Sequence, residues 1–345
     1  MSAKRRSDRK KTSRWKKGLL WTLLLVIVAV VSYSIYFIGN VYQATNEAYD
    51  EIDRPNGKSE LRETDVAITK DPISILLMGI EDYETDGQNG RADTQILATL
   101  NPHTNKMTMT TIPRDTITEF TEEEAGQYAG THKLNAAYTY GSITDYGEVK
   151  LQVEKVEDLL GIPIDEYVAV NFDGFRDIVD ALGGVSIDIK EPFWEKNFYV
   201  PGEKVHFEQG VSKLNGEEAL AFVRMRKQAA NANYSREERQ RQFIESTIDQ
   251  AISTNTLFKV GEISNILGQN VSTSFSPSEI FHMQQTYSSI DTSNIETFEV
   301  GGQDEVINGI WYFNPDPNSI DELANQLRQE LELPLEDNTT STVEY

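Results

Sequence analysis

Cysteine is absent from all 345 residues. That excludes a thiolate nucleophile, a thiolate-held metal and any disulfide staple. A chain of this length can bury a sizeable core without one. Histidine is nearly as scarce: the four, at 103, 132, 206 and 282, are scattered and show no zinc-ligand spacing. There is no G-x-S-x-G elbow, no P-loop and no H-E-x-x-H helix, so the chemistries those motifs carry are missing. No internal repeat or low-complexity block is present. Positive charge is short as well. Beyond residue 17, 23 lysines and arginines face 54 aspartates and glutamates. Such a surface repels nucleic acid and excludes an extended phosphate-backbone footprint.

The exception is the start of the chain. Its first seventeen residues hold nine Lys or Arg and one acid, Asp8. Residues 18–38, GLLWTLLLVIVAVVSYSIYFI, contain no charge at all. At about 1.5 Å per residue, a helix of this length covers the roughly 30 Å hydrocarbon layer. The basic flank keeps residues 1–17 in the cytoplasm and sends everything after about Asn40 outside. A cleaved secretory signal is the competing reading. Its apolar core is shorter, about 7–15 residues, and ends in a small-residue site, which is not found here. Residues 39–70 read as an extracytoplasmic stalk, 71–333 as one large domain and 334–345 as a disordered tail.

Within the domain, ISILLMGI (73–80) has the form of a buried strand. QILATL and MTMTTI predict a hairpin joined by NPHTNK. Pairing Leu100 with Met107 and following the ladder sets Asp93 opposite Arg114. Val149, Val153, Val156 and Leu160 have helical spacing, and Gly161 with Pro163 ends that helix. YVAVNF and VSIDI read as strands around a helix closed by Gly183–Gly184, and ALAFVRMR (219–226) reads as ending in a strand. Ser235 with Glu238 forms a capping box that opens another helix. The alternation predicts an α/β domain, a mixed central sheet flanked by helices and preceded by one N-terminal transmembrane helix.

Acids and arginines are what remain to carry chemistry. Glu81 and Asp82 follow a buried strand and Asp93 opens the next, so their carboxylates can converge on one hard cation; a charged surface loop is the plainer alternative. Arg114 emerges from an apolar strand in IPRDT, where a local salt bridge with Asp115 is the ordinary outcome. From 222 to 242 there are six basic residues against two acidic ones. On a strand, Arg224 and Arg226 point to one face. On the next helix Arg236, Arg239, Gln240 and Phe243 share a face. Like charges gathered this way imply an anion, and arginine is shaped to grip phosphate. Acids, a divalent cation and arginines suffice for phosphoryl transfer. Outside the membrane no ATP pool exists, so the diphosphate arrives attached to a membrane lipid.

At these residues the chain resembles the LytR–CpsA–Psr family. The matching stretches are ILLMGIEDYETDGQNGRADTQIL, TIPRDT, HKLNAAYTYG, VNFDGFRDIVDALGGV, LNGEEALAFVRMR and SREERQRQ, in family order over roughly 73–250. The resemblance implies a mixed sheet with an apolar tunnel for a lipid tail. It implies transfer of an anionic glycopolymer, a teichoic acid or capsular polysaccharide, from a polyprenyl diphosphate carrier to peptidoglycan in a Gram-positive envelope. By matching motifs, Asp93 would hold Mg²⁺ (or Mn²⁺), while Arg91, Arg114, Arg224, Arg226, Arg236 and Gln240 would surround the diphosphate, with Lys133 and Asn135 beside them. Asp93 and Arg114 would be catalytic; the resemblance leaves the general base for the acceptor hydroxyl open, with Asp93 the first candidate. Glu81 departs from the family's usual Asp, which leaves Glu81 or Asp82 as second metal ligand. A lipid-binding envelope sensor or transcription attenuator and a diphosphate hydrolase are the competing functions.

Overall fold

The computed structural model describes residues 48–82, 89–226, 230, 233–253, 270–287 and 294–335. The basic tail, the apolar span 18–38, the first part of the stalk and the residues from 336 onward lie outside these. Among the described residues no helix is long and apolar enough to cross a membrane.

Along the chain come β1 (Ile73–Glu81), β2 (Arg91–Asn101), β3 (Lys106–Thr111), β4 (Ile117–Phe120), β5 (Gly130–Lys133), α1 (Ala136–Ile143), α2 (Glu148–Leu160), β6 (Glu166–Asn171) and α3 (Phe172–Ala181). Then follow β7 (Val185–Ile189), β8 (Phe193–Lys196), β9 (Lys204–Phe207), β10 (Gly210–Leu214), α4 (Gly216–Arg224), α5 (Arg236–Ser253) and β11 (Val271–Thr273). The last are α6 (Pro277–Tyr287), β12 (Ile295–Glu299), β13 (Gly302–Ile307), β14 (Ile310–Pro315) and α7 (Pro317–Glu330).

Six strands form the central sheet in the order β11-β6-β1-β2-β3-β12. It is mixed, with β1 parallel to β6 and β3 parallel to β12, and the other neighbours antiparallel. The alternation of side chains along the strands gives it two apolar faces. Leu76, Met78, Ile80, Leu97, Tyr167 and Ala169 pack on one face against α2 and α7. Ile73, Ile75, Ile96, Ala98 and Met109 pack on the other, toward α5 and α6. A separate cluster joins β7–β10 to α4 through Ile187, Phe193, Phe207 and Phe222. Gly161 closes α2 in the left-handed conformation, φ 62°, which suits glycine.

The β2–β3 ladder has the expected register, Leu100 opposite Met107 through Ile96 opposite Thr111. One element differs. Residues 219–224 are helical, because Asn215 and Glu218 form a reciprocal capping box that starts α4. The apolar run was long enough for either structure, and the cap decides it. The stalk differs too. From Ala48 it is bound to the domain: Ile52 is buried, Arg62 grips Asp165 with two bonds of 2.6 and 2.8 Å, and Arg54 pairs with Glu157 at 3.0 Å.

Candidate active site

Strand ends that share one edge of the sheet meet here: the C-termini of β1, β6 and β3 and the N-terminus of β2. Along β1, Gly79 pairs with Thr94 but Ile80 pairs with Ala92, so Asp93 is the inserted residue of a β-bulge. In a regular strand Asp93 and Thr94 would face opposite ways. The bulge lets Ala92 bury in the core while both Asp93 and Thr94 line one cavity.

That cavity has a volume of about 590 Å³. Its walls divide sharply. Leu77, Ile96, Val168, Val170, Phe175, Leu220, Val223, Phe243 and Ile244 make an apolar part between sheet and helices. Glu81, Asp93, Arg224, Arg226, Arg236 and Gln240 make a polar, charged part.

Asp93 is the hub of the polar part. Its carboxylate accepts from Arg114 and, at 2.8 Å, from Asn135 Nδ2. Asn135 is held there by its own backbone, whose N–H donates to the Arg114 carbonyl at 3.1 Å. Arg236 donates to the Asp93 carbonyl, and Gln240 donates to Thr94 Oγ1 at 2.9 Å, so α5 is fastened to β2 at the bulge. Burial alone would raise the Asp93 carboxyl. The Arg114 charge, hydrogen bonds with Glu81 and Asn135, and the Arg236 charge outweigh it and hold Asp93 below the usual carboxylate range.

The Glu81 side chain is near enough to help hold the Asp93 carboxyl low, and Arg224 Nη2 stands 4.0 Å from Glu81 Oε1. Two neighbouring carboxyls are stabilised by a shared proton or a cation between them. Their oxygens are hard donors of the type Mg²⁺ takes, so the pair fits a divalent ion. Among the described residues no group of three or more His, Cys, Asp or Glu gathers as a metal cluster. Asp82 lies apart, its carboxylate 3.5 Å from Asn171 Nδ2 and outside the cavity wall.

Not every expected residue arrives. Arg91 is exposed at the start of β2, where its charge acts on Tyr140, and does not line the cavity. Lys133 is tied to Asp115 at 2.9 Å and does not line the cavity either. Arg224 ends α4 and Arg226 follows two residues later, so they reach the cavity without the strand expected for them. Arg239 is spent elsewhere. It is completely buried and donates to the carbonyls of Phe222, Tyr234 and Met225. Sequence reasoning missed Lys196, Phe172 and Phe198, which also line the cavity. Only the helix-cap signal at Asn171, which brings Phe172 to the end of β6, was there to find one of them.

The fold is thus a mixed α/β sheet whose strand ends carry an acid–arginine cluster beside an apolar cavity. More particularly, the chain belongs to the LytR_cpsA_psr family, which its sequence matches over residues 35–329. It is 38% identical to the polyisoprenyl-teichoic acid–peptidoglycan teichoic acid transferase TagV of Bacillus subtilis (strain 168), over 91% of this chain and 78% of that protein. It is 33% identical to the corresponding transferase TagU of Oceanobacillus iheyensis, over 94% of this chain and 96% of the relative. The crystal structure of B. subtilis TagV superposes with a TM-score of 0.65 at 37% identity, covering 77% of this chain and 99% of the other. That of TagT bound to LIIa-WTA gives 0.63 at 28% identity, covering 80% and 97%.

Proposed function

We propose that this protein transfers an anionic glycopolymer of the teichoic acid type from a polyprenyl diphosphate carrier to peptidoglycan. The observation that carries this is the divided cavity: one wall is apolar enough for a polyprenyl chain, and arginines stand where that chain would end. The names of TagV and TagU as teichoic acid transferases support it.

In this reading Arg224, Arg226, Arg236 and Gln240 surround the diphosphate. Glu81 and Asp93 hold Mg²⁺ or Mn²⁺, which when bound neutralises charge developing on the phosphate oxygens. Arg114 and Asn135 fix the Asp93 carboxylate. The acceptor hydroxyl on peptidoglycan attacks the glycopolymer's phosphorus, the P–O bond to the polyprenyl phosphate breaks as the phosphodiester forms, and the hydroxyl proton passes to the departing polyprenyl phosphate or to solvent. Arg114 and Asn135 each take one lone pair of the Asp93 carboxylate and leave others for the ion; with its carboxyl held low, Asp93 anchors charge and is a poor proton acceptor. The uncharged span 18–38 anchors the chain in the cell membrane as a single pass, with the domain outside.

Full-length protein in detergent, given Mg²⁺, a lipid-diphosphate-linked glycan and peptidoglycan oligomers, is expected to form a covalent conjugate. Asp93→Asn and Arg114→Ala should each lower that rate by about 100-fold or more. No conjugate, under conditions where a control transferase succeeds, sinks the reading. Free glycan released without acceptor would make it a hydrolase. A non-enzymatic sensor is the second reading, because a structural relative from Enterococcus faecalis is described as a transcriptional regulator. It gains if Arg114→Ala abolishes lipid binding yet leaves wall polymer unchanged in cells.

A further inference from the structure

The arginines at and behind the cavity are fixed in different ways. Arg114, outside the cavity lining, spends a donor on the Asp93 carboxylate, and Arg236 spends one on the Asp93 carbonyl. Arg224 is held by rings. Its guanidinium carbon lies 4.7 Å from the centre of the Phe172 ring and 4.8 Å from that of Phe198. The two rings meet edge to face, 5.1 Å apart at 89°, and form a corner around the cation.

The corner is itself secured. Phe172 opens α3, where the Asn171 side chain caps the helix. Phe198 sits on the β8–β9 connection, which Asn197 ties down. Its Oδ1 accepts from the Tyr199 N–H at 2.9 Å, and its Nδ2 donates to Glu217 of α4 at 3.2 Å. Tyr199 then donates its hydroxyl to the Phe172 carbonyl at 2.9 Å, joining the two sides of the corner.

We propose that Phe172 and Phe198 are positioning residues for the diphosphate site, holding Arg224 by its charge so that its N–H groups stay available to phosphate. This rests on the diphosphate reading above. A long arginine side chain loses much of its rotamer freedom when fixed. A carboxylate partner would fix it but would occupy its donors and cancel its charge. Ring faces attract the cation and use no donor. Glu81 at 4.0 Å is too far for a hydrogen bond to Arg224, so the rings supply the restraint.

The test uses full-length protein with Mg²⁺ and geranylgeranyl diphosphate as probe, geranylgeraniol as the uncharged control, and thermal melts to confirm folding. Phe198→Leu keeps an apolar wall and removes the ring; it should weaken diphosphate binding about three- to ten-fold and leave the alcohol unchanged. Phe198→Trp should restore binding. In the transfer reaction Phe198→Leu should raise donor KM more than it lowers kcat. The deciding measurement is a double-mutant cycle, in which Phe198→Leu has no further effect once Arg224→Ala is present. Losses that multiply, or an equal loss for the alcohol, overturn the positioning role and leave the transferase reading intact. Arg224→Ala binding the diphosphate as well as wild type overturns both.

Discussion

Glu166 of β6 shows how one buried acid sets a pH dependence remote from the cavity. Desolvation raises its carboxyl, with Glu279 and Asp165 adding to the rise, while a hydrogen bond from Ser274 and the Arg54 charge oppose it; the result is about 7, against an ordinary 4.5. The folded value lies above the unfolded one. Its contribution to stability is therefore complete below about pH 4.5 and is lost as pH rises through 7. The difference between those ends is roughly 3 kcal/mol. Glu166→Gln should remove it: in urea unfolding, the stability of the variant relative to wild type should rise by about 2–3 kcal/mol between pH 5 and pH 8. A difference that does not move with pH would assign Glu166 an ordinary carboxyl.

The helix α5 illustrates how two arginines three residues apart take opposite roles. Arg236 reaches β2 and the cavity, whereas Arg239 turns inward to three carbonyls at the end of α4 and before α5. Arg239→Ala leaves those carbonyls buried and unsatisfied, at a cost on the order of 3 kcal/mol. Thermal unfolding should show that loss, and diphosphate affinity measured on the remaining folded protein should stay near wild type. Helical spacing could group the two residues on one face but could not tell which was buried. The same limit explains ALAFVRMR, where a five-residue apolar core fits strand or helix and the cap at Asn215 decides. By contrast the β2–β3 register was legible, because a short connection and two apolar strands admit few pairings; with it came the Asp93–Arg114 contact. The bulge, the Phe172–Phe198 corner and the outward placement of Arg91 and Lys133 depend on contacts between distant segments, which periodicity does not encode.

For the assembled protein, the segment from Ala48 onward matters more than its composition suggested. Arg54, Arg62 and Ile52 bind it to the domain on the sheet's α2 side, with Asp50 bonded to Thr273 of β11 at 2.8 Å. If residues 18–38 anchor the chain as proposed, attachment through such a segment limits how the domain can turn over the membrane and raises the effective concentration of a carrier lipid, which leaves the bilayer only at about 0.8 kcal/mol per CH₂. Protein released by cleavage before Ala48 should keep its kcat/KM on short-tailed soluble donors. On vesicle-borne donors it should lose about ten-fold or more. Equal efficiency on both would deny the anchor any part beyond address.

The bulge at Asp93 has one more consequence. An insertion of a single residue is what turns two consecutive side chains toward the cavity while the rest of β2 keeps its pairing. Part of the site is therefore written as a length, not as a letter. Every catalytic side chain could be retained and the site still lost, if the stretch between Arg91 and Thr94 were one residue shorter.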